Sequence, residues 1–204
     1  MRLLFTLLFI AALTSPAVTA NATADLSRLE AFAASIPAGE WRELPASSIE
    51  NVLVHRQQAP NDGGITGPIS VIYAWNGAAF DGQRWYFHGG GHADYSGNEV
   101  YAFDFSTLKW TRLTQPSRLK PRTAEQSCPD TVDGTPLASH TYDGFLYVPT
   151  TKTIWLWPGV EYCASGMRYR TAVWEFDPEK REWKMHRRDS LQGFMLSSFD
   201  PKTG

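Results

Sequence analysis

An all-β fold of short antiparallel strands is what this sequence predicts, on three observations. The first is composition: 204 residues, 43% hydrophobic and 20% charged, with 13 Pro, 16 Gly and 8 Trp, suit a packed protein of many short strands joined by turns. The second is residues 84–113. There an apolar run from Trp85 to His88 ends in Gly89-Gly90-Gly91, a polar loop reaches Asn98, Val100-Tyr101-Ala102-Phe103 is apolar again, and a Ser106-Thr107 turn leads into Lys109 to Leu113. Short runs separated by turn residues read as a meander. The third is recurrence: Glu40-Trp41-Arg42-Glu43-Leu44 returns as Lys109-Trp110-Thr111-Arg112-Leu113 and, more loosely, as Glu182-Trp183-Lys184-Met185-His186, an internal repeat of roughly seventy residues.

Taken in order, residues 1–20 read as a signal peptide. Met1-Arg2 is a short positive start, Leu3 to Leu13 an apolar core too short to span a bilayer, and Ala17-Val18-Thr19-Ala20 a small-residue cleavage site, with cleavage after Ala24 the alternative. The expected location is secreted or periplasmic, with no membrane span after cleavage. Residues 21–39 form a lead-in whose stretch Asp25 to Ile36, with Leu26, Leu29 and Phe32 at helical spacing and Pro37 after it, predicts one short helix.

The first full unit, about 69–113, should begin with an inner strand from Ile69 to Ala74, turn at Asp81-Gly82, and continue through Arg84 to Gly89 and the two strands described above. The second, about 137–187, should place strands at Thr141 to Pro149, Ile154 to Pro158, Ala172 to Phe176 and Glu182 to His186. Its Asp177-Pro178-Glu179-Lys180 turn falls where Asp104 to Thr107 fell. A third unit starts at Gly193. A net charge of −2 argues against nucleic acid as a partner, which a strongly positive surface would favour. Cys128 and Cys163 are the only cysteines, and export favours a disulfide between them over a zinc site or a free thiol.

Residues 84–113, with the double glycine, Tyr101 and Trp110, resemble a Kelch repeat, and the chain from 40 to 204 is similar to exported bacterial Kelch proteins of the galactose-oxidase-like superfamily. The second unit departs from the pattern, carrying Trp157-Pro158-Gly159 in place of the double glycine. The resemblance implies a Kelch-type β-propeller of four-stranded antiparallel blades, here about two blades, a closing strand at Trp41-Arg42-Glu43-Leu44 and the start of a third. Tyr101 and Trp110 would pack between adjacent blades. At roughly seventy residues per unit even four blades need about 280 residues, so an N-terminal fragment of a longer chain is expected.

Alternating strands in a blade put the loop between strands two and three on the same face as the connection from strand four to the next blade. That face is the candidate site. The first kind of loop carries His92, Asp94, Tyr95 and Asn98 and, in the second unit, Glu161, Tyr162, Arg168 and Arg170. The second carries His55, Arg56, Arg118, Lys120, Arg122 and His140. His92, Tyr95 and His140 are the candidate catalytic groups, and Asp94, Asn98, Arg168 and Arg170 the candidate ligand-binding ones. Plainer roles compete: Asp94 and Asn98 as Asx turns, Tyr95 and His140 as structural residues, the cations as solvated surface, and Trp85, Trp155, Trp157 and Trp174 as core. No phosphate loop, nucleophile elbow or zinc pair is present, and nothing matches the copper centre of galactose oxidase, so no metal and no cofactor are expected.

Two function classes fit. One is a non-catalytic scaffold binding a glycan or protein ligand. The other is a carbohydrate-active enzyme, a lyase, epimerase or oxidase-like protein, acting on a sugar that could be acidic. There an arginine would neutralise a carboxylate while a histidine or tyrosine moved the proton.

Overall fold

The computed structural model describes residues 25–45, 47–91, 93–121, 128–157, 159–163, 168–169, 172–188, 198 and 200. The signal peptide expected over 1–20 and most of the third unit lie outside them. The expected helix is present as α1, Ser27–Ala34; Leu26, Leu29 and Phe32 are its partly buried positions, and Arg28 Nη1 donates to Thr107 O at 3.1 Å. No helix among the described residues is long and apolar enough to cross a membrane.

The protein is all-β in its main body. Eleven described strands follow: β1 Ala79–Phe80, β2 Arg84–His88, β3 Val100–Asp104, β4 Lys109–Arg112, β5 Ser139–His140, β6 Phe145–Val148, β7 Thr153–Leu156, β8 Val160–Glu161, β9 Arg168–Tyr169, β10 Ala172–Asp177 and β11 Glu182–Arg188. Each expected unit yields one four-stranded antiparallel sheet, β1-β2-β3-β4 and β6-β7-β10-β11. A third sheet, β5-β8-β9, has no counterpart in the sequence reading.

The matching turns have one physical cause. Asp104 Oδ1 accepts from the amides of Ser106 (2.8 Å) and Thr107 (3.0 Å), and Asp177 Oδ1 from those of Glu179 (3.0 Å) and Lys180 (2.9 Å). Both are side-chain turns that replace missing backbone bonds. In each, the residue four beyond the aspartate closes the turn at positive φ, Leu108 at 58° and Arg181 at 60°. At the base of the first sheet Asp81 gathers the Gln83 and Arg84 amides, the Arg84 guanidinium and the Tyr86 hydroxyl.

Strand alternation then sends Tyr86, Val100 and Ala102 of the first sheet against Ile154, Leu156, Trp174 and Phe176 of the second, a buried core between two facing sheets. The opposite face of the first sheet, with Phe87, Tyr101 and Trp110, is covered by Ile49, Val52, Ile69, Val71 and Ile72. The expected partner of Tyr101 and Trp110 is thereby corrected: they pack on the segment that precedes their own sheet.

The same segment overturns another expectation. Residues 69–74 are not an inner strand; Ser70–Tyr73 is a short helix, α2, and β1 starts five residues later. Ile69 and Ile72, three apart, lie together on the core, a helical spacing that a short β-branched run conceals, and Asn76 Nδ2 donates to Ser70 O and Val71 O at its end. The inner strand of the second unit is likewise shorter than expected, because Thr141–Gly144 is a turn closed by Gly144 N to Thr141 O at 2.7 Å. Trp41 is 97% exposed and its pentad pairs with neither large sheet. Trp174 is core, whereas Trp85 is 43% exposed, because its register opposite Phe103 points it away from the second sheet.

Truncating Phe176, which is fully buried between the sheets, to Ala should cost about 3–5 kcal/mol in urea unfolding, with both sheets lost in one transition. Trp85→Ala should cost under about 1.5 kcal/mol by the same measurement.

Candidate functional site

The loop leaving β2 is where the candidate residues are placed. Gly91 lies so close to β5 and β8 that an added Cβ would stand 2.3 Å from His140 N and 2.4 Å from Val160 O, and at Gly89 it would meet Ser139 O at 2.6 Å. Only glycine permits this approach. On its other side the loop is tied to residues 64–67, with Ile65 N donating to Ala93 O and Thr66 N to Asp94 O, both at 2.9 Å.

That clamp brings two candidates together. Asp94 Oδ2 lies 3.1 Å from His140 Nε2, and Asp94 Oδ1 accepts from Thr66 Oγ1 at 3.0 Å. The imidazole is buried, at 4% side-chain exposure, while the carboxylate is 32% exposed, so the pair presents its acid side outward. Tyr142 sets its ring edge-on to His140 at 5.9 Å.

The β5–β8 pairing below is held covalently. Tyr162 N donates to Ala138 O at 2.7 Å, and the next residue, Cys163, forms a disulfide with Cys128. Arg168 pairs with Glu161 in register, which puts its backbone on the same small sheet as His140. His92 and Arg170 lie outside the described residues, as does Arg122; Arg118 and Lys120 are exposed, as expected of solvated cations.

Tyr95 and Asn98 go elsewhere. Tyr95 is fully buried and donates from its hydroxyl to Glu99 Oε1 at 2.6 Å. Glu99 is itself fully buried, and its Oε2 has no hydrogen-bond partner among the described residues. Burial pushes the Glu99 carboxyl up to about 7, against the pull of the Tyr95 hydroxyl and the Arg112 charge. His88, also fully buried, is drawn by burial down to about 4.

Asn98 ties two connections together. Its Nδ2 donates to Thr135 Oγ1 (2.9 Å), Pro136 O (2.8 Å) and Ser117 Oγ (3.1 Å), and its Oδ1 accepts from Ser117 N (2.8 Å). Ser117 and Thr135 in turn donate to Asp133, at 2.6 and 2.8 Å. These bonds, opposed by partial burial, hold the Asp133 carboxyl below the usual carboxylate range.

The network lines a cleft of about 500 Å³ together with Arg181 of the β10–β11 turn and Glu182 and Trp183 at the start of β11. The volume suits a small ligand. Asp133, Arg181 and Trp183 are not among the site residues expected from the sequence, where Trp183 is a strand residue only; the turn-forming run Asp133-Gly134-Thr135 is the one local signal that marks the first. Among the described residues no group of three or more His, Cys, Asp or Glu could hold a metal ion.

Compared with models of protein families and with curated proteins, the sequence matches none.

Two outcomes check this description. The disulfide closes a loop across 35 residues, so Cys128→Ser with Cys163→Ser should lose roughly 3–4 kcal/mol in urea unfolding. Glu99, whose folded pKa is raised, favours folding below its unfolded value, and that contribution is lost as pH rises to about 7. Glu99→Gln lacks the loss, so its stability relative to wild type should grow by roughly 3 kcal/mol between pH 4.5 and 8. The opposite contribution of His88, lost as pH falls from about 6.5 to 4, is common to both proteins and cancels in the difference.

Proposed function

We propose that this chain is an exported Kelch-type β-propeller protein, secreted or periplasmic, that acts as a binding scaffold for a glycan or protein ligand. Its two four-stranded sheets are taken as neighbouring blades, a reading supported by their face-to-face packing and by the repeated aspartate turns at Asp104 and Asp177. The disulfide supports an oxidising compartment.

The observation that carries the binding reading is the cleft. It is lined both from the loop between strands two and three, through Asn98, and from the connection that leaves β4, through Thr114, Gln115 and Ser117. A site built by separate loops on rigid sheets is the usual arrangement for recognition. Hydrogen exchange during a screen of glycans and peptides tests it: a ligand should protect amides over residues 113–118 and 131–135. Protection confined to other segments would remove the proposal.

The pair at Asp94 and His140 favours the enzymatic reading, since a histidine held by a carboxylate is a recurring general base. His140→Ala separates the two. A scaffold keeps its affinity within about tenfold, whereas a lyase or epimerase acting on a sugar loses turnover by roughly 10² or more.

A further inference from the structure

The cleft between the sheets has a chemical character that the proposed binding role does not specify. Among its lining residues only Leu113 and Trp183 are apolar. Trp183 is half-buried and fixed, its ring 4.9 Å from that of Phe176 and 5.0 Å from that of His88, so one part of the indole is anchored in the core while the rest faces the cleft.

A preorganised acceptor lines the same cleft. Asp133 Oδ1 already takes the Thr135 hydroxyl and, at 3.3 Å, the Thr135 amide, and Oδ2 takes the Ser117 hydroxyl. A carboxylate offers about four acceptor positions, so Oδ2 keeps one. Gln115, exposed in the same lining, makes no side-chain hydrogen bond among the described residues, and its amide offers both a donor and an acceptor.

The charge balance selects further. Asp133 and Glu182 set two negative charges against the single positive charge of Arg181, which disfavours an anionic ligand. A hydrophobic peptide segment would find too little apolar surface. A sugar ring meets both conditions, since it presents an apolar C–H face for an aromatic ring and hydroxyls at its edge for a carboxylate and an amide.

We infer that the cleft binds a neutral pyranose, stacked on Trp183 with its hydroxyls on Asp133 and Gln115. Asn98, whose amide is engaged within the network, is a positioning residue that holds Ser117 and Thr135 against Asp133. The inference rests on the reading of this cleft as the binding site and narrows it from any glycan or protein to uncharged sugars.

The test uses the disulfide-bonded chain with neutral methyl pyranosides and disaccharides, and their uronate counterparts, measured by saturation-transfer NMR and titration calorimetry. At least one neutral sugar should bind, and its uronate counterpart should bind about tenfold more weakly or not at all. Asp133→Asn should weaken the neutral sugar by about tenfold or more, and Gln115→Ala by roughly threefold or more. The Gln115 variant disturbs no side-chain hydrogen bond among the described residues, so it stands if the Asp133 variant fails to fold. A uronate preferred over its neutral counterpart, yet weakened by Gln115→Ala, would overturn the sugar class while leaving the cleft as the site. Sugar binding untouched by both substitutions would overturn the site itself. Failure of every neutral sugar to bind would overturn the inference.

Discussion

The close approach of the glycine run after β2 to the paired strands β5 and β8 is the constraint on which the rest of this face depends. With no side chains at Gly89 and Gly91, the chain lies directly against Ser139, His140 and Val160, and Gly90 N reaches Ser139 O at 3.3 Å. Any larger residue would lift the loop from these strands, since backbone atoms cannot yield as a flexible side chain can. Three arrangements follow from that contact. Asp94 comes to His140, Tyr95 turns inward onto Glu99, and Asn98 reaches the connection between the sheets.

The sheets beneath supply rigidity. The first sheet is covered on both faces, by the second sheet on one side and by the segment from Ile49 to Ile72 on the other, so the loop that leaves it starts from a fixed base. Two ionisable groups, His88 and Glu99, lie fully buried at the two ends of that loop. Burial disfavours the charged form of both, and the protonation changes it resists are of opposite sign. Over the mildly acid range their effects on stability oppose each other, and toward neutral pH the carboxylate's prevails.

The two halves of the face differ in what they can do. Around Asp94 and His140 the polar groups are paired and the imidazole is covered, the arrangement on which the proposed enzymatic reading rests. Around Asp133 the groups are ordered by the Asn98 network and line the cleft, the arrangement on which the proposed ligand site rests. Preorganisation of this kind lowers the entropy lost on binding.

The sequence alone determined the local geometry. The positions of β2, β3, β4, β7, β10 and β11, the α1 helix and the paired aspartate turns depend on neighbours within a few residues, and period-two alternation with Asp at the turn start writes them into the chain. The cysteine pairing was legible too, because only two are present. It did not determine what the β-branched run at 69–73 would become, since helix and strand are both compatible with so short an apolar segment; packing on Tyr101 and Phe87 settled it as helix. Nor did it separate Asp94, Tyr95 and Asn98, three residues within one short polar loop that the tertiary structure sends in three directions. The cleft was hidden for the same reason. Asp133 and Trp183 are fifty residues apart in the chain, and only the tertiary arrangement brings both to the lining of one cleft, a long-range proximity that no local pattern encodes.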